Sequence, residues 1–185
     1  MIIRKSPEEI DKIADAGQIL ARCLTMLRGK ARPGVTTADL DQAAEKFITS
    51  QGATPAFKGY RGFPGSICAS PNSMVVHGIP GAFKLSRGDI LSIDVGVVLD
   101  GWVADAAVTV PIGQISPVAR RLLESTKASA SAKKDELLGK AREASPDSAT
   151  SAVAATSKKA RENPLPVAAA GAFAFGFLAG RLTKH

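Results

Sequence analysis

Apolar residues recur at helical spacing near the start of the chain. Ile10, Ile13, Ile19, Leu20, Leu24 and Leu27 make one stripe. Ser6, Pro7 and Glu9 ahead of it fit a capping box with proline at the first helical position. Gly29 and Pro33-Gly34 are the expected stop signals. A second helix is predicted from Thr36, with Asp39 three residues on and Leu40, Ala43, Phe47 and Ile48 along one side, ending near Gly52. The pattern then breaks. The stretch ATPAFKGYRGFPGSICASPNSMVVHGIPG is dense in Gly and Pro around short apolar runs, which predicts irregular loops and short strands. Asp89 to Ile112 reads as two β-branched runs joined by Asp100-Gly101, a strong hairpin signal. A further helix restarts at Ser116, with Pro117 in its first turn.

The hairpin carries candidate chemistry. A two-residue turn at Asp100-Gly101 pairs Leu99 with Trp102, sets Asp94 opposite Ala107, and sets Asp105 opposite Gly96. Asp94 and Asp105 are then diagonal neighbours on one face, their Cβ atoms on the order of 7 Å apart. Both lie in apolar sequence, IDVG and VADAA, so their face is expected to be at least partly buried. Two partly buried like charges need a shared proton or a bound cation. A divalent metal held between them is one answer; the plainer one is that either Asp is only an edge residue bonded to backbone. His77, in VVHGIPG, sits on a stiff loop where a neutral imidazole could exchange a hydrogen bond with a substrate amide. A structural histidine is the plainer reading.

Composition changes the picture mainly at the end of the chain. With 45% hydrophobic and 22% charged residues, the 185-residue chain is ordinary for a globular protein. Its net charge of +7 is uneven: 14 Lys/Arg stand against 12 Asp/Glu up to Thr126, and 10 against 5 from Lys127 on. The basic excess therefore belongs to the tail. Residues 128–163, rich in Ala, Ser and Lys, can bury little and are either an exposed helix or disordered. Pro164 to Gly180 carries no charge and is at the lower length limit for a membrane span. A membrane-associated helix over 164–182 and a loosely packed soluble one both fit. Cys23 and Cys68 have no metal-ribbon spacing and read as reduced thiols, and the early charges of MIIRKSPEEIDK do not read as a signal peptide. A cytoplasmic protein is expected.

The runs GYRGFPGSICASPN, VVHGIP, GDILSIDVG and DGWVADAAVT, preceded by RPGVTTADLDQAAEKFITSQGATPAFKGY, are similar in order and gaps to the type I methionine aminopeptidases. This resemblance covers residues 1 to about 127, two-thirds of the chain. It implies an α+β fold, the amino-terminal half of a pita-bread (creatinase/aminopeptidase-like) architecture. It also implies removal of N-terminal methionine from nascent proteins by a metallo-aminopeptidase using divalent ions (Co, Mn, Fe or Zn; two in the family), which activate water and polarise the carbonyl. Asp94 and Asp105 match metal ligands, and His77 matches a catalytic residue that contacts the scissile peptide. Tyr60, Phe63 and Cys68 match the methionine side-chain pocket. Ser73 departs from the acidic residue that follows the Asn in many members.

The family's remaining ligands, a histidine and two glutamates, and its second substrate histidine have no counterpart after Asp105. A metal held by two aspartates would bind weakly, so impaired activity is expected unless another chain completes the site. The rival expectation is a non-enzymatic remnant, tethered to a membrane or binding nascent chains. The tail segment ENPLPVAAAGAFAFGFLAGRLTKH resembles the anchor of small ribosome-associated inner-membrane proteins. The change near Lys127 suggests a fusion, a frameshift or a diverged fragment. Expected partners are N-terminal Met peptides, with the ribosome and a membrane through 164–182 as further ones, and no DNA.

Overall fold

The structure is a computed structural model that describes residues 4–144. Helix α1, Pro7–Lys30, starts as the capping box dictates: Glu9 N–H donates to the Ser6 hydroxyl at 3.2 Å, and Ser6 N–H donates to the Glu9 carboxylate at 2.8 Å. It runs one residue past the expected stop at Gly29. Its end is set instead by Ala31 N–H, bonded to Leu27 O at 2.8 Å, and by Arg32, which precedes a proline and so resists helical geometry. Helix α2, Thr37–Ser50, has the same kind of cap, with Thr36 and Asp39 bonded reciprocally.

Four strands form one antiparallel sheet: β1 Thr54–Pro55, β2 Ile67–Pro71, β3 Ile90–Leu99 and β4 Trp102–Pro111. Strand β3 is central. It pairs with β4 along one edge and with β2 and β1, end to end, along the other. The hairpin register is the expected one, with Leu99 opposite Trp102, Asp94 opposite Ala107 and Gly96 opposite Asp105. Asp100 and Gly101 both take positive φ, 50° and 80°, as a tight turn between right-twisted strands demands.

Alternation along β3 decides what each face does. Leu91, Ile93, Val95 and Val97 are fully buried and, with Ala104, Ala106 and Val110 of β4, meet Ile19, Leu20, Cys23, Leu24 and Leu27 of α1 and Leu40, Ala44 and Ile48 of α2. Both helices therefore lie on one face. The other face carries Cys68, Ser92, Asp94, Gly96, Asp105 and Ala107. Burial there is narrower than expected: Asp94 is half-buried, but Val103, Asp105 and Ala107 are exposed, because no helix among the described residues covers β4 on that side.

Helix α3, Pro117–Ala144, is capped by Ser116, whose hydroxyl accepts from Ala119 N–H at 3.1 Å. It passes unbroken through the composition change at Lys127, and from there to Leu137 every residue but Lys134 is exposed. The first part of the 128–163 segment is thus an exposed helix. The rest of that segment and the apolar 164–182 run lie outside the described residues, among which no helix is long and apolar enough to cross a membrane.

Candidate active site

Asp94 and Asp105 project from the open face as the register requires. Gly96, directly opposite Asp105, has no side chain to stand between the two carboxyls, which are close enough to share a proton through a hydrogen bond. Burial, then the charge of Asp105 and that hydrogen bond, push the Asp94 carboxyl up to about 7. Asp105 is also held above the usual carboxylate range by partial burial, with the bond from Asp94 acting in the opposite direction. The pair holds a shared proton more readily than two charges.

One observation bears on a metal. Asp94 Oδ1 is buried and has no hydrogen-bond partner. An oxygen donor that no protein group uses, beside a second carboxylate, suits a hard divalent cation. The donor set is partial: among the described residues, no group of three or more His, Cys, Asp or Glu stands close enough to hold a metal.

Cys68 pairs directly with Asp94 across β2 and β3. Burial, reinforced by the charges of Asp94, Asp105 and Asp41, pushes its thiol up to about 11, so it stays protonated. Tyr60 and Phe63 lie on the knot before β2, where Gly59 N–H bonds Phe63 O and Phe63 N–H bonds Tyr60 O. Tyr60 is exposed, with Arg61 over its ring, and Phe63 is half-buried. Phe57, which the sequence pattern does not single out, packs against β3 at Gly96. A Cβ on Gly96 would lie 2.7 Å from the Phe57 ring, so the ring covers the strand where the glycine leaves room. A lone glycine inside SIDVGVV is the available signal for such a close approach.

His77 is exposed and takes a left-handed φ of 58°. The next residue anchors it. Gly78 N–H donates to the buried Ser70 hydroxyl at 3.0 Å, and Gly78 O accepts from Ala69 N–H at 2.9 Å. The loop is thereby hooked to the free edge of β2, two residues along the strand from Cys68. Cys68, Asp94 and Asp105 are thus brought together by sheet register, while His77 lies on a loop hooked to β2 and Tyr60 and Phe63 lie on the turn that leads into it. Ser70 has no signal in the sequence beyond its place in a loop-rich segment.

The chain is similar to known proteins in sequence and in fold. Residues 11–159 match the model of metallopeptidase family M24. A methionine aminopeptidase of Clostridium perfringens is 52% identical over 129 residues, 70% of this chain and 52% of that protein. Methionine aminopeptidase 1 of Bacillus subtilis is 50% identical over 129 residues with the same coverage, 70% and 52%. Among solved structures, methionine aminopeptidase from Rickettsia prowazekii superimposes with a TM-score of 0.69 at 38% identity, covering 72% of this chain and 54% of that one. The chain spans about half the length of the curated relatives it matches. Prolidases share the fold alone, and the layout is that of the pita-bread architecture.

Proposed function

The chain belongs to metallopeptidase family M24, and we propose that residues 1–127 form the carboxylate and substrate side of a site that removes N-terminal methionine from nascent proteins in the cytoplasm. The observation that carries this reading is the Asp94–Asp105 pair, with its unpartnered Asp94 Oδ1, set beside a neutral thiol and an aromatic wall.

Asp94 and Asp105 would hold the divalent ion. When bound, such an ion supplies Lewis acidity toward the scissile carbonyl and lowers the pKa of the attacking water. Cys68, Phe63 and Tyr60 receive the methionine thioether, for which apolar, polarizable groups are the suitable partners. Phe57 covers the strand at Gly96, beside the carboxylates on the β1 side. His77 contacts the scissile peptide and holds or passes a proton at its amide nitrogen.

Two aspartates alone bind a metal weakly, so activity of this chain by itself is expected to be low. The absence of a third donor near the pair among the described residues favours a second reading, a nascent-chain binder without turnover. Methionine release from a Met-Gly peptide with added Mn²⁺ or Co²⁺ separates the two. The Asp94→Ala, Asp105→Ala double variant is the blank. Release above the blank supports the peptidase, whereas release equal to it with either metal removes that reading and leaves the binder.

A further inference from the structure

Helix α2 does more than pack. Its buried face carries Thr37, Leu40, Ala44 and Ile48, and Thr37 and Asp41, one turn apart on that same side, spend their polar atoms on two loop segments. The Thr37 hydroxyl donates to Gly81 O at 3.0 Å and accepts from Gly81 N–H at 2.9 Å, with the residue only 2% exposed. The helix amides beside it extend the join: Thr37 N–H donates to Phe83 O and Ala38 N–H to Gly81 O, each at 3.0 Å. Helix amides left free by the missing turn thus take carbonyls of the loop that carries His77. Asp41 serves a different segment. Its Oδ1 accepts from Ser66 N–H at 2.7 Å and from Ile67 N–H at 3.0 Å, where the knot bearing Tyr60 and Phe63 enters β2 just before Cys68.

Two separate segments, the His77 loop and the Tyr60–Cys68 wall, are therefore bonded to one side of one rigid helix. We propose that Thr37 and Asp41 are positioning residues that fix the spacing of these two segments and so set the width of the methionine cleft. The chemistry fits the task. A hydroxyl both donates and accepts, which locks Gly81 in a single orientation. A carboxylate oxygen taking two backbone N–H groups makes charge-assisted bonds, stronger than neutral ones. Neither residue touches substrate in this role. That the cleft receives methionine rests on the function proposed above; the joining of the two segments does not.

The two thiols allow a direct test in the full chain, because Cys68 lies on the wall and Cys23 lies in the core of α1 at 0% exposure. In Asp41→Ala, iodoacetamide modifies Cys68 on the order of tenfold faster than in Asp41→Asn, which removes the same charge from beside the thiol but keeps an acceptor oxygen, with the Cys23 rate unchanged; equal Cys68 rates in the two variants overturn the clamp. In Thr37→Val, amide hydrogen exchange across residues 78–83 rises by a similar factor and that of α1 does not, while Thr37→Ser keeps the parental rate. If circular dichroism shows Asp41→Ala unfolded, amide hydrogen exchange at Ser66 and Ile67 in Asp41→Asn takes its place: the neutral amide weakens the two bonds, and exchange there rises while that of α1 does not. Parental rates in these variants, or Cys23 and α1 accelerating together with Cys68 and 78–83, overturn the clamp. Free L-methionine adds a readout of the cleft itself. It slows Cys68 modification in the parent, and in Asp41→Ala and Thr37→Val the same protection needs on the order of tenfold more methionine. No protection in the parent contradicts the methionine pocket, and the exchange and modification rates alone then decide the clamp. Unaltered protection in both variants overturns the clamp's effect on the cleft.

Discussion

Asp94→Asn raises the melting temperature of the metal-free protein at pH 8 and removes its stabilisation by Mn²⁺. In the folded chain Asp94 keeps its proton up to about pH 7, because burial and the neighbouring Asp105 disfavour its charge. Unfolded, it releases the proton near the ordinary aspartate value of about 3.9. Between those limits the folded state binds more protons than the unfolded one, so stability falls as pH rises. The contribution is fully present below about pH 4 and is lost as pH passes through about 7. At pH 8 the parent therefore carries a penalty of roughly 2 to 4 kcal/mol, which an uncharged amide avoids. Bound metal offsets the same penalty by mass action on the folded state, and Asp94→Asn loses that response. Thermal unfolding followed by circular dichroism, with EDTA or with Mn²⁺, reads both effects. The difference between parent and variant in EDTA shrinks toward pH 5. An unchanged melting temperature at pH 8, or a preserved Mn²⁺ shift in the variant, would falsify the assignment of Asp94.

Gly78→Ala costs more than its single methyl group suggests. A Cβ at this position would stand 2.2 Å from Ala69 O and 2.6 Å from Met74 Sδ. The methionine can swing away, but the carbonyl belongs to β2 and cannot. The loop has to lift from the strand edge, which gives up the Gly78 bonds to Ser70 and Ala69. Overpacking strain and two lost hydrogen bonds together predict a destabilisation of about 2 to 4 kcal/mol. Urea denaturation measures it, and trypsin cleavage at Lys84 should quicken in parallel. A variant within about 0.5 kcal/mol of the parent would show that the loop is not held there.

The sequence is most informative where spacing alone determines structure. A two-residue Asp-Gly turn leaves one register for the hairpin, and that register by itself puts Asp94 and Asp105 on a common face. The capping boxes of α1 and α2 are equally legible, since Ser6–Glu9 and Thr36–Asp39 satisfy backbone donors within a single turn. What the sequence hides is set by contacts between distant segments. Phe57 over Gly96, Ser70 under Gly78, and Thr37 on Gly81 join positions 8 to 44 residues apart, and no local pattern encodes which loop residue meets which strand. The exposure of Asp105 is hidden for a related reason. Alternation shows which residues share a face but not whether another layer covers it. The roles of His77, Tyr60, Phe63 and Cys68 come from resemblance; the fold explains only how each is held.

Direct binding of Mn²⁺ tests the central claim, that Asp94 and Asp105 form the metal-holding part of this face. Electron paramagnetic resonance of free Mn²⁺, titrated with the full chain at pH 8, reports bound metal without any need for turnover. Parent protein is expected to take up Mn²⁺ weakly, in the high micromolar range or above as two carboxylates allow (about 10⁻⁴ M or weaker). The Asp94→Asn, Asp105→Asn double variant is expected to take up none at the same concentrations. Equal uptake by both proteins, or none by the parent at millimolar metal, would contradict the account.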